Sequence, residues 1–166
     1  MGIAIKDLQD LLRNYARLEQ AGARMFHDWS EEATDQEMKS TLAEFAEIEK
    51  KQALALALHL KELGGGELGS APLPLEDAIG LYLEQIGRLP TIAERLRFNY
   101  TVMSTLERPV IMRALLSANP DTLSLFQGIL QNEDRILTWC DQTSARLGCE
   151  TVDIDKYYSD VVANVG

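Results

Sequence analysis

Apolar residues recur along this chain at intervals of three and four, the period of a helix that buries one face. The first run, Leu8, Leu11, Leu12, Tyr15, Leu18, Met25, Phe26 and Trp29, predicts a helix from about Ile5 to about Trp29. Thr34-Asp35-Gln36-Glu37 reads as a capping box that opens a second helix. Gly64-Gly65-Gly66 closes it, because glycine takes the left-handed conformation that ends helices. Residues 64–74, with Gly69, Pro72 and Pro74 besides, read as a linker with little to anchor it in a core. Leu75, Ala78, Ile79, Tyr82, Leu83 and Ile86 then predict a short amphipathic helix over Leu75 to Leu89. Pro90 breaks it, and Thr91-Ile92-Ala93-Glu94 is a second capping box. A long third helix follows to about Ser117, with a kink or break expected just before Pro109. Asn119-Pro120 starts a fourth helix that runs to about Leu147 and closes at Gly148. No alternating strand pattern of useful length is present. The expected fold is therefore all-α: two helical hairpins over residues 1–147, joined by a long crossover at 64–90 into a four-helix bundle with one extra short helix. The tail, 148–166, shows only the makings of a helical turn around Tyr157 and Tyr158.

Carboxylates interrupt these stripes. Stepping by helical periods from Glu49 meets Leu42, Phe45, Ala46, Ala53, Leu56 and Leu60; from Glu133 it meets Phe126, Ile129, Leu130, Ile136, Leu137 and Cys140. Glu19 and Glu107 occupy the same kind of position in the first and third helices. A buried carboxylate costs several kcal/mol unless it has a proton, a cation or a strong hydrogen-bond partner. Gly22, one turn after Glu19, costs about 1 kcal/mol against alanine in a helix. A close helix or a bulky occupant beside Glu19 would account for it.

The two halves match each other. Leu18-Glu19 corresponds to Leu106-Glu107, and Glu49-Lys50-Lys51-Gln52 to Glu133-Asp134-Arg135-Ile136, at offsets of 88 and 84 residues. With this repeat, residues 5–147 resemble the ferritin-like superfamily and, within it, the rubrerythrin-like proteins. In that family one helix of each hairpin gives a glutamate and the next gives Glu-x-x-His, enclosing two iron or manganese ions. The resemblance implies Glu19, Glu49, Glu107 and Glu133 as metal ligands. Gln52 stands where the first histidine belongs, as a weak ligand or a hydrogen-bond donor to one, and Ile136 stands where the second belongs. The implied centre is carboxylate-only or degraded, suited to oxidation of ferrous iron or reduction of dioxygen or peroxide, or metal-free. The rubredoxin-like CxxC pair of full rubrerythrins is absent. The competing reading is a non-catalytic binding or assembly module whose metal site has decayed.

Composition narrows the partners. The 166 residues carry a net charge of −10, which opposes nucleic acid and anionic membranes and favours cations. Two cysteines, Cys140 and Cys149, form no framework, so a reducing compartment is expected. The amino terminus lacks a signal-peptide pattern and no run approaches a membrane span, which makes cytoplasm the expected location. A homodimer through the bundle or the linker helix is compatible with all of this. His59, His27 and Cys140 read as packed or exposed residues rather than ligands. Tyr15 reads as a core tyrosine within reach of a site carboxylate.

Overall fold

The first two stripes form α1 (Ile5–Glu32) and α2 (Gln36–Glu62), joined by residues 33–35. The structure is a computed structural model and describes residues 5–68, 76–115 and 118–165, without side chains at 76, 77, 110, 113, 114, 164 and 165. Backbone contacts divide the chain into two compact units, 1–73 and 74–166. No strand occurs among the described residues, and no described helix is long and apolar enough to cross a membrane.

In the first unit α1 and α2 pack along each other. Leu8, Leu12, Leu42, Phe45, Leu56 and Leu60 are all buried. Phe26 meets Trp29 and Phe45 edge-on, with ring centroids 5.6 and 5.7 Å away. The cap of α2 lies one residue later than the Thr34–Glu37 box predicts: Asp35 accepts from the Met38 amide at 2.8 Å. At the other end the glycines act as expected. Gly64 has φ +76°, its amide reaches the Lys61 carbonyl, and the Gly65 amide reaches that of Leu60, which together make a Schellman closure.

The following segment is less free than its composition implies. Three α1 side chains one turn apart grip it: Gln9 donates to the Leu63 carbonyl (2.8 Å), Arg13 to that of Gly65 (2.7 Å) and Arg17 to that of Leu68 (3.3 Å). Backbone carbonyls, which need no side chain, provide the anchorage. Of the predicted linker 64–74, residues 69–74 lie outside the described residues.

The second unit holds α3 (Glu76–Gly87), α4 (Ile92–Val102), a π-helical turn at Met103–Glu107, α5 (Arg108–Leu115), α6 (Pro120–Arg146) and α7 (Asp155–Val165). The third predicted helix is thus not continuous. Pro109 cannot donate to the Thr105 carbonyl four residues back, and its ring crowds that carbonyl. The Thr101 and Thr105 hydroxyls donate to the carbonyls of Arg97 and Thr101, which loosens the same turns. The chain widens there: the Arg108 amide bonds to Met103, five residues back.

Thr91 and Glu94 form the predicted reciprocal capping box, and Asn119 caps α6 by accepting from the Thr122 amide at 2.8 Å. Gly148 (φ +88°) closes α6 with a second Schellman pair. The tail corrects expectation most, because its single turn is an eleven-residue helix, α7. Tyr157 inserts its ring between Tyr82 of α3 and Phe98 of α4, at 6.2 and 5.6 Å between centroids. Buried Arg97 ties α4 to the end of α6, donating to Asp141 Oδ1 (2.6 Å), the Asp141 carbonyl (3.0 Å) and the Cys149 carbonyl (3.1 Å).

Candidate metal centre

In the first unit the sequence-predicted residues come together from two facing helices. Glu19 of α1 is 3% exposed; Glu49 and Gln52 of α2 are 7% and 6% exposed. Burial that deep takes both carboxyls out of bulk water, so water cannot compensate their charge. Gln52 Nε2 donates to Glu19 Oε2 at 2.8 Å. Gln52 therefore holds a carboxylate in place through its amide N–H. Gly22 explains itself in the same place. A Cβ built there would lie 1.8 Å from Glu49 Oε2, so the Glu49 carboxyl occupies the space that a side chain at 22 would fill. The occupant expected beside Glu19 is this carboxyl.

In the second unit Glu107 ends the π-helical turn and Glu133 lies midway along α6. Both are half-buried as residues, not buried through and through. The Glu107 carboxyl nonetheless has its pKa pushed up to about 8, first by burial and then by the charge of Glu133. The Tyr157 hydroxyl is pushed up to about 12, again first by burial and then by Glu107. The two glutamates of this unit thus feel each other electrostatically, and α7 brings a tyrosine into the same field. Ile136, in the second histidine position, is 1% exposed and offers no donor.

The remaining candidates fall where the bland reading puts them. Tyr15 is buried. His59 is half-buried and reaches Glu62 at 3.3 Å, and His27 is exposed. Cys140 is fully buried, with the Asn99 amide 3.7 Å from its sulfur. Tyr157 and Arg97 escaped sequence reasoning. The only signal for Tyr157 was a pair of tyrosines in a polar tail; for Arg97 it was an arginine between Leu96 and Phe98.

The cluster of each unit offers oxygen donors, with carboxylates dominant. That set suits manganese, ferrous iron and other hard divalent ions, and it disfavours ions that select imidazole or thiolate. The space left by Gly22 for a carboxyl is consistent with a site shaped around ligands rather than around apolar packing. Compared with known proteins, the chain matches no family model, no curated sequence and no solved structure.

Proposed function

We propose that this chain is a ferritin-like protein, similar to the rubrerythrins, with a carboxylate-only centre for two iron or manganese ions. Glu19, Glu49, Glu107 and Glu133 are the ligands, and the four-helix bundle is the frame that holds them. The observation that carries this reading is the Gly22–Glu49 fit: a glycine in mid-helix leaves room for one buried carboxyl beside another. When bound, the metal pair supplies Lewis-acid and redox chemistry for oxidising ferrous iron or reducing dioxygen or peroxide.

The chain's own residues prepare for that cargo. Gln52 fixes the Glu19 carboxylate through Oε2. Glu107, raised to about 8, holds a proton at neutral pH, and an arriving cation must release it. Metal uptake should therefore acidify an unbuffered solution and tighten as pH rises towards 8. The test is elemental analysis of protein purified without chelator, followed by anaerobic titration with ferrous ion and exposure to air. Metal retained by the wild type, lost in Glu49→Gln and followed by ferrous oxidation is the expected result.

A second reading rests on Ile136 and Gln52, one unable to ligate and the other already bonded to Glu19. There the bundle is a non-catalytic binding or assembly module, with Glu107 protonated in place of metal. Protein that takes up no ion in the same titration would exclude the metal reading and leave this one standing.

A further inference from the structure

Away from its buried carboxylates, the hairpin of α1 and α2 carries an open groove of about 800 Å³. Ala46 and Ala53 of α2 form a buried floor, with Ala23 of α1 and Ala57 of α2 beside them. Phe26 meets Phe45 and Gln52 meets Glu19, so the helices run antiparallel in a register that sets Arg24 and His27 beside Glu47 and Lys50. Leu54, 61% exposed, lines the groove further along α2, and Leu58, 55% exposed, follows one turn on. The groove is basic at one end and apolar at the other.

The basic end decides what fits. The chain carries a net charge of −10, and this lining runs against it. Glu47 is the one acid in the lining and pairs with Lys50 at 3.9 Å. Among the described residues, neither the Arg24 guanidinium nor the His27 ring has a hydrogen-bond or ion-pair partner. Both are exposed and keep N–H donors for an incoming carboxylate. A second copy of the chain is a poor occupant, since its own groove brings the same basic side chains against these. A small molecule is poor as well: such sites enclose most of their ligand, and this groove is open. An amphipathic helix of another protein suits both ends. From Ala46 to Ala57 the groove runs about 16 Å, three turns of a docked helix. The alanines let its backbone come close, and Leu54 and Leu58 meet its apolar stripe. Acidic side chains beside that stripe reach Arg24, His27 and Lys50.

We propose that this groove docks an acidic amphipathic helix of a partner protein, its carboxylates against Arg24, His27 and Lys50 and its apolar stripe over Leu54. This goes beyond the metal reading and does not rest on it. The probe is a synthetic, fluorescently labelled helical peptide of leucine, alanine and glutamate, with leucines at helical spacing. Two controls accompany it: the same peptide with lysine for every glutamate, and a scrambled order that destroys the stripe. Fluorescence anisotropy reads binding to the full chain at about 0.15 M salt, where charges more than about 8 Å apart are screened and the local lining decides. The expected result runs against the net charge: the acidic peptide binds about tenfold tighter than the basic one. Arg24→Glu/Lys50→Glu should reverse that preference, and Leu54→Gln should weaken binding by about tenfold. Far-UV circular dichroism checks that each variant is folded. Preference for the basic peptide, equal binding of the scrambled one, or a preference that Arg24→Glu/Lys50→Glu leaves unmoved overturns the proposal. An acidic peptide that does not bind overturns it too, and dodecanoate binding in its place would give the groove to a small amphiphile.

Discussion

At Gly22 two small energies compete, and their sizes predict a sign. Alanine in a helix interior is worth about 1 kcal/mol over glycine. Its Cβ, however, would lie 1.8 Å from Glu49 Oε2, and forcing a buried group aside costs about 1–3 kcal/mol. Gly22→Ala should therefore destabilise the protein. In a background of Glu49→Ala, which empties the space, the same change should stabilise it. Urea unfolding of the four proteins reads this cycle, and additive effects would show that the two residues do not compete for one space. Glu107 makes a second prediction at this scale. Its folded pKa, about 8, lies above the ordinary 4.5, so the folded state binds the proton more tightly than the unfolded chain. The metal-free protein should lose stability as pH rises from about 4.5 to about 8 and level off beyond. Glu107→Gln cannot ionise and should flatten that slope in urea midpoints taken across the range. The glutamates were legible in the sequence because a charge on a buried stripe is conspicuous. Gln52 as a donor to a ligand was legible as well; which glutamate it meets, and the place of Tyr157, were not, because helical periodicity gives a side chain's face but not its partner.

Among the elements, helix ends were the most legible features, since caps are local chemistry. Thr91, Asn119, Gly64 and Gly148 each act where their residue types predict. The box at Thr34 was off by one residue, because Asp35 is an equally good cap and wins. Pro109 announced a disturbance but not its form. Whether a proline kinks, breaks or widens a helix depends on what satisfies the freed carbonyls, and here a π-helical turn does so. The strap over the end of α2 was illegible for a similar reason: glycines seemed to have nothing to hold, whereas Arg13 and Arg17 hold their backbone region from outside. Arg13→Ala should remove the 2.7 Å bond to Gly65 at a cost of about 1 kcal/mol. The expected readout is faster hydrogen exchange at the amides of Gly64, Gly65 and Gly66, with the middle of α2 unchanged. Equal protection in both proteins would mean that the Schellman bonds alone hold the segment.

On the scale of the whole molecule, 26 acidic residues against 16 basic ones leave a chain that repels itself, and four of the acids sit on stripes meant for burial. Two means of relief are available, protons or cations, and they respond oppositely to the same substitutions. If protons suffice, replacing Glu49 or Glu133 with glutamine removes a group that resists ionisation, and the variant should be more stable at neutral pH. If metal is held, binding stabilises the folded state by about 2.7 kcal/mol when the free ion is at 100 times its dissociation constant. For a chain of this length that is a rise in melting temperature of about 5–10 °C. The proposed centre takes its ligands from both halves of the repeat, which pairs Glu19 with Glu107 and Glu49 with Glu133. One substitution in either unit should then abolish most of the rise: Glu49→Gln and Glu133→Gln should each melt alike with manganous ion and with chelator. Should each variant keep about half of the rise, the units bind metal separately and the single centre is wrong. Wild type that melts identically with metal and with chelator, while Glu49→Gln gains stability, would show that protons do the work.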